Sequence, residues 1–538
     1  MAGEAGGGPA TTCVRGGRRP ARGAGRRRAR GAAAALLVCA ALGAGFTLDR
    51  PRHADLGNLG WSAAFSRLCS LLANEYPFTA WKGIDWQAIE QELGPRVAAA
   101  ETRRDRRAYY RALRELVWRL RDGHARLVGD DGGLERAEVG GSYGFEVVVL
   151  DDGRVLASRV AGGGPADRAG LRAGCEVVRW NGAPAGAALA AVPVLWSERP
   201  PATREGYRLA QASLLTRAPI GARASVAFRG PEAGTGGAAE IRELVAAAAP
   251  PARAPCLRAA ELLAGSTLET RELAAGAGYV RLRFELPTLR TPLPGLALRR
   301  ALARFTADRL PGVIVDVRGN CGGMDAMVPS LVAPLLREAT LYEVPGVYRR
   351  QRRERSQRPE RRQGPESQHR ENRGQPGGEG SGRFEPDPRQ AITVLPRPPL
   401  YRGRIAVLID ADTVSAGEAI PLLLAGQPDT VVIGLHATHG SFGIGLKSVA
   451  LPGGLAVVFP HAQSLDGDGR VEVDGDAAGR GGVAPDVRLP LTAELFDRLY
   501  LRGEDVVLEA GVRFVLGASG ASITPQAPAA TSAASPGH

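Results

Sequence analysis

The sequence predicts an α/β core, preceded by a helical region and carrying an inserted β-rich unit, a mixed multidomain fold. Three observations predict it. From about residue 256 onward, short β-branched runs alternate with helical segments, as at Gly312-Val-Ile-Val-Asp-Val317 and Ile405-Ala-Val-Leu-Ile409. Between 55 and 130, apolar residues recur at helical spacing. Between 137 and 247, runs of period-two and β-branched character are separated by Asp-Gly and Asn-Gly turns.

The chain begins with an Arg-rich stretch and then Ala32 to Phe46, an apolar run of about fifteen residues ending in small side chains. A charged start, an apolar centre and small residues form a leader pattern, so residues 1–46 are expected to be a signal peptide or N-terminal anchor. The run is shorter than the about 20 residues of a membrane span. Trp61, Phe65, Leu68 and Leu72, and then Tyr109, Leu113, Leu116, Val117 and Leu120, define the helical region 55–130. Gly123 is expected to stop the last helix, leaving His124 on an extended or loop segment. In the unit 137–247, Tyr143 to Leu150 reads as a strand and Asp151-Asp-Gly153 as a hairpin turn. Gly164-Pro-Ala to Gly174 follows as a short helix, and Val177 to Gly182 as a second strand and turn.

The core is expected over 256–515, with strands at Gly278–Phe284, Gly312–Val317, Ile405–Ile409 and Val431–Gly434 and a hairpin at Leu451–Phe459. Residues 349–390 are rich in Arg, Gln, Glu, Pro and Gly and nearly devoid of apolar side chains, which predicts a disordered insertion. The Ala/Ser/Pro-rich tail 518–538 is expected to be disordered too.

The formal net charge of +13 sits in two segments, 1–31 and 349–373, and the remainder is formally neutral. A nucleic-acid reader carries its basic patch on a folded face among stacking aromatics, and aromatics are only 5% here, which argues against nucleic acid. The six cysteines show no paired short spacing, so neither a zinc site nor a disulfide framework is expected, and Cys321 reads as a small buried filler. Lys82 and Lys447 are the only lysines, which bears on any lysine-based chemistry.

Two stretches carry the chemistry. Ser415-Ala-Gly-Glu418 follows the apolar run Ile405–Ile409 and leads into an apolar helix. A serine at such a junction is a helix N-cap with Glu418 completing a capping box, or a nucleophile on a tight turn whose following N–H groups stabilise an oxyanion. Arg318-Gly-Asn-Cys-Gly-Gly323 follows a buried strand, and its glycines either make a tight turn or bring N–H donors to an anion. It lacks the ending of a phosphate loop. His124 reads as a structural residue or a base, and His436 and His439 as substrate-site or structural residues.

Taken together, Asp122-Gly-His124, Gly164-Pro-Ala to Gly174 with Val177 to Gly182, Asp316 to Gly323, Ser415 to Glu418 and Gly482-Val-Ala-Pro-Asp486 resemble the tail-specific, C-terminal processing serine peptidases over about 55–515. The resemblance implies a helical N-terminal region, a PDZ-like domain and a crotonase-like peptidase core. One branch of that family uses a Ser–Lys dyad, but Ile444 stands where its lysine would. The other, similar to tricorn-core enzymes, implies Ser415 as nucleophile, His124 as general base and Glu472 as the imidazole's partner, unless Glu472 lies in a solvated acidic loop. It further implies an oxyanion hole from the N–H groups of Ala416 and of Gly322 or Gly323, and a tail-binding loop at Tyr143, Gly144 and Phe145. The expected function is an exported serine endopeptidase acting on protein or peptide substrates, with no cofactor and no metal, touching membrane only through an uncleaved leader. The rivals are a catalytically inactive peptidase-like binding protein and a crotonase-type acyl-CoA enzyme.

Overall fold

The computed structural model describes residues 54–233, 237–250, 265–350 and 382–517. The expected leader, the tail and residues 351–381 lie outside the described residues.

The core sheet runs in the order Leu268–Glu272, Gly278–Leu282, Gly312–Asp316, Arg404–Ile409, Thr430–Gly434 and Val487–Arg488. Its first pair is antiparallel and the others are parallel. Both faces are covered, which is why its strands read as unbroken apolar runs. Ile405, Val407 and Ile409 point to one face, where they join Val313, Val315 and Leu298, Leu302 and Phe305 of the helix Pro294–Ala307. Ala406 and Leu408 point to the other and pack with Ile314, Ile433 and the helix Val506–Leu516.

A second sheet is centred on the hairpin Ile444–Leu451 and Leu455–Leu465. One of its strands, Arg126–Val128, belongs to the N-terminal region and pairs with Leu455–Leu465 in the register Arg126↔Val458. That pairing carries His124, two residues upstream, to the far end of the chain's core. The helices Trp61–Glu75, Trp86–Arg103 and Arg106–Arg119 bury the expected periodic residues against Val449, Val457 and Phe459 of the hairpin, so helical region and hairpin share one core. Asp85 and Asp105 cap the second and third helices by accepting the N–H groups of Ala88 and Ala108 at 2.9 and 3.0 Å. Gly123 is not the helix stop. The left-handed residue after the last helix is Arg121, at φ 47°. Gly123 is required for a different reason: a Cβ there would lie 2.7 Å from His439 Cε1.

Residues 145–245 form a sheet in the order Glu240–Val245, Arg223–Arg229, Glu176–Trp180, Val155–Val160 and Phe145–Val149, the last an edge strand. Asn181 and Gly182, both at positive φ, make the tight turn between Glu176–Trp180 and Ala183–Pro184. The helix Arg204–Leu215 packs Ala212 and Leu215 into the same core as Phe145 and Val147. This unit is tied to the core sheet by Asp151, whose carboxylate accepts both Arg488 nitrogens at 2.8 Å, and by Glu205, 2.7 Å from His436 Nδ1.

Two further expectations change. The insertion is ordered at both ends, because Thr340–Arg350 and Gly382–Pro386 pair as an antiparallel ladder. Tyr348 and Phe384 pack ring to ring across it, and Arg349 pairs with Asp387 at 3.0 Å. Cys321 is half-buried and disulfide-bonded rather than a buried filler.

Candidate active site

Beyond Ile409 the backbone turns sharply, and Asp410 governs that turn. Its Oδ1 accepts the N–H groups of Asp412, Thr413 and Gly319 at 3.1, 3.0 and 2.9 Å, fastening the serine turn to the glycine loop. The Thr413 hydroxyl donates to Val317 O at 2.9 Å. Ser415 then sits at φ 60°, ψ −138°, immediately before the helix Ala416–Leu424. A non-glycine residue in that region stores backbone strain. Strand, strained turn and helix together expose a hydroxyl and leave the first helical N–H groups without intrahelical partners.

Capping and exposure turn out to be compatible. The Glu418 carboxylate, not the Ser415 hydroxyl, does most of the satisfying. It is fully buried and accepts the Ser415 N–H at 3.2 Å, the Ser441 N–H at 3.0 Å, the Gly440 N–H at 2.8 Å and the Thr438 hydroxyl at 2.5 Å. Burial nonetheless pushes its carboxyl up to about 7. Ser415 N–H also points to Ser441 O at 3.1 Å, so Glu418 holds the turn 438–441 beneath the serine. Ser415 Oγ is left for another partner.

That partner is His124: Nε2 lies 2.9 Å from Ser415 Oγ. On the other side of the imidazole, Nδ1 faces Asp122 Oδ1 at 3.5 Å, a charge contact too long for a strong hydrogen bond. Asp122 is completely buried, and its carboxylate accepts the His124 N–H at 2.9 Å and the Tyr76 hydroxyl at 2.8 Å. Although burial works against it, the Lys82 ammonium and the contacts from His124 hold this carboxyl well below its usual range.

The glycine loop abuts the serine. A Cβ on Gly322 would lie 2.5 Å from Ser415 Cβ, and Gly322 is at φ 76°, so only glycine fits. Asn320 anchors the loop: its Nδ2 donates to Glu285 Oε1 at 2.8 Å and its Oδ1 accepts the Gly322 N–H at 2.8 Å. The Gly322 amide is therefore committed to Asn320, which leaves Ala416 and Gly323 as the amides of the expected oxyanion set.

Glu472 does not come to the imidazole; among the described residues no hydrogen bond or ion pair joins it to His124. It lies within the influence of Asp466 and Glu343, and burial with those like charges pushes its carboxyl up to about 7. The carboxylate that faces Nδ1 is instead that of Asp122, two residues before the histidine. Asp474, an acid neighbouring Glu472, is buried as well, and burial raises its carboxyl to about 7. His436 pairs with Glu205, and His439 is buried with Nδ1 3.0 Å from Ser441 Oγ, which also accepts the Gly123 N–H at 2.8 Å. Burial depresses the His439 imidazole strongly, so it stays neutral.

In the expected tail-binding loop, the Tyr143 N–H donates to Thr216 O at 3.1 Å and the Gly144 N–H to Ser142 Oγ at 3.0 Å. Phe145 begins the edge strand. Two of the three amides meant for a carboxylate are thus occupied within the unit.

With this geometry in place, residues 278–489 match the model of peptidase family S41. Among solved structures, mature CPAF is similar at 17% identity with a TM-score of 0.56, over 86% of this chain and 98% of that one. A structure of mature CPAF complexed with lactacystin gives 17% identity and a TM-score of 0.55, over 85% and 99%. A photosystem II D1 C-terminal processing protease aligns over 84% and 98% at 18% identity, with a TM-score of 0.35. No curated protein matches the chain.

Proposed function

We propose, from the premise that residues 278–489 make this chain a serine peptidase of family S41, that Ser415 is its nucleophile and His124 its general base. The observation that carries this reading is the 2.9 Å approach of His124 Nε2 to Ser415 Oγ across 291 positions of sequence. A serine hydroxyl is a poor nucleophile until a neutral imidazole takes its proton. Ser415 Oγ then attacks the scissile carbonyl, His124 Nε2 receives the proton, and Asp122 steadies the imidazolium through Nδ1. The N–H groups of Ala416 and Gly323 receive the developing oxyanion. The imidazolium returns its proton to the departing amine, and water, activated by the same imidazole, releases the acyl group.

The unit 137–247 is read as PDZ-like, recognising an extended segment of substrate along the open edge of Phe145–Val149 or gating the core through its contacts at Arg488 and His436. The leader pattern supports export, with retention at the membrane if that segment is uncleaved. The test of the catalytic reading is covalent: a serine-directed fluorophosphonate should label the wild type with a mass shift on Ser415, and Ser415→Ala should be unlabelled and inactive. Absence of labelling in a folded wild type would favour the peptidase-like binding protein instead.

A further inference from the structure

The turn between the first two helices does more than join them. Tyr76 to Gly83 runs under the catalytic histidine and touches both buried acids there. Tyr76 donates its hydroxyl to Asp122 Oδ2, the Trp81 indole N–H donates to Asp474 O at 2.9 Å, and Lys82 Nζ donates to Arg121 O, the carbonyl just before Asp122, at 2.7 Å. Lys82 is 1% exposed, a nearly complete burial for an ammonium. Its ammonium also lies over the Phe78 ring, 5.2 Å from the centroid.

A buried ammonium with a single carbonyl acceptor is expensive unless carboxylates compensate it. Asp122 and Asp474, both fully or nearly fully buried, are the acids whose ionisation its field favours. The choice of residue fits the place. Lys82 is one of only two lysines in the chain, and it puts a compact point charge in this pocket. The other charged or titratable groups felt in this pocket are His124 and His439 from the site, Arg121 at the helix end and Arg199.

We propose that Lys82 is a positioning residue for catalysis: its buried ammonium, bonded to the carbonyl just before Asp122 on the turn that also holds the Asp122 carboxylate and the Asp474 backbone, sets the pH at which the Ser415–His124 pair becomes active. The proposal rests on the catalytic reading above. Two effects of losing the cation act in the same direction. Without it, the paired buried acids retain a proton to higher pH, so Asp122 ionises later. Where Asp122 is ionised, the imidazolium no longer feels a nearby positive charge and holds its proton longer. The active form requires ionised Asp122 and neutral His124, so both effects move the acid limb upward.

The experiment is the pH dependence of kcat/KM for a fluorogenic peptide, in wild type, K82M, K82R and K82M/D474N, together with the imidazole NMR titration of His124 in the S415A background, assigned by H124Q. K82M should move the acid limb up by about one unit, the low end of the effect of a neighbouring charge. K82R should return it toward wild type. K82M/D474N, which removes the cation and one acid together, should fold even if K82M does not and should show a limb close to wild type. An acid limb unchanged in K82M while the rate falls equally at every pH would overturn the proposal, as would a double variant displaced as far as the single. The NMR titration reads His124 without turnover: a shift there with turnover that survives S415A would refute the catalytic reading and leave the electrostatic one standing.

Discussion

Asp122 and His124, two residues apart in sequence, face each other through Oδ1 and Nδ1 at 3.5 Å, while Asp122 is pinned by the Tyr76 hydroxyl and the His124 backbone. The acid is thus fixed by the protein's own groups, and only a small closure of the imidazole is needed for a hydrogen bond. Asp122→Asn should lower kcat by about 10²- to 10⁴-fold, since an amide at this place presents the wrong tautomer partner, and kcat is compared on folded protein because the buried Lys82 ammonium loses a compensating charge. Glu472→Gln should change kcat by less than about tenfold, because it lies outside hydrogen-bond reach of the imidazole. Steady-state kinetics on the two variants decide between the acids, and a large loss confined to Glu472→Gln would reverse the assignment.

The contact between Gly322 and Ser415 makes a second prediction. A methyl at Gly322 would enter Ser415 Cβ at 2.5 Å and approach Val414 O at 2.8 Å, on a backbone at φ 76°. Neither neighbour can give way, since both are backbone or turn atoms. Gly322→Ala should cost about 1–3 kcal/mol of stability and, by displacing Ser415 Oγ, about 10²-fold in kcat. Thermal unfolding and turnover measured on the same preparation test it; a fully active, equally stable variant would mean the loop is softer than its packing implies.

How much of this was legible beforehand follows from the range of the interactions. The places of Ser415 and His124, at a strand-to-helix turn and just beyond a helix end, were legible from their neighbours, whereas their roles came only from the family resemblance. The acid was not. Asp122 was in plain view beside His124, but which carboxylate meets Nδ1 depends on the pairing of Arg126–Val128 with Leu455–Leu465 and on the Trp81 contact to Asp474, and no local periodicity encodes either. The same holds for Gly123, which looks like a helix stop and is in fact a clearance for His439. Glu418 shows both sides: its capping signature was visible, but its bonds to Thr438, Gly440 and Ser441 span twenty or more residues. The unbroken apolar strands were readable because a two-sided sheet imposes its composition directly.

The buried acids also fix a stability profile. Burial pushes Glu285, Glu418, Glu472 and Asp474 each up to about 7. A group whose folded value exceeds its unfolded value binds more protons in the folded state between the two, so stability falls as pH rises through that window. The window runs here from roughly 4.5, where free carboxyls titrate, to about 7. The melting temperature should therefore be higher at pH 5 than at pH 8. Glu285 is the cleanest probe, since its Oε1 already accepts Asn320 Nδ2 and its Oε2 has no partner. Glu285→Gln should raise the melting temperature at pH 8 and leave it nearly unchanged at pH 5; an equal shift at both would assign the effect to packing.

The edge strand Phe145–Val149 offers a peptide a ladder, but the loop before it is closed to a terminal carboxylate. Tyr143 and Gly144 spend their N–H groups on Thr216 O and Ser142 Oγ. Hydrogen bonds to a charged group are worth about 1.5–3 kcal/mol, so an open loop would favour a free carboxylate over its amide by about tenfold or more. As the loop stands, a C-terminal acid peptide and its carboxamide should bind the proteolytically silent Ser415→Ala protein within about threefold of each other, the difference of about 0.6 kcal/mol that a surface charge contributes. Ser142→Ala removes the internal acceptor and frees the Gly144 N–H, and it should restore a preference for the acid. Calorimetric titration of both peptides into both proteins separates the cases. A strong preference for the acid already present with Ser142 intact would mean that the loop opens on binding, and recognition of tails would then run through induced rearrangement of Ser142 to Phe145.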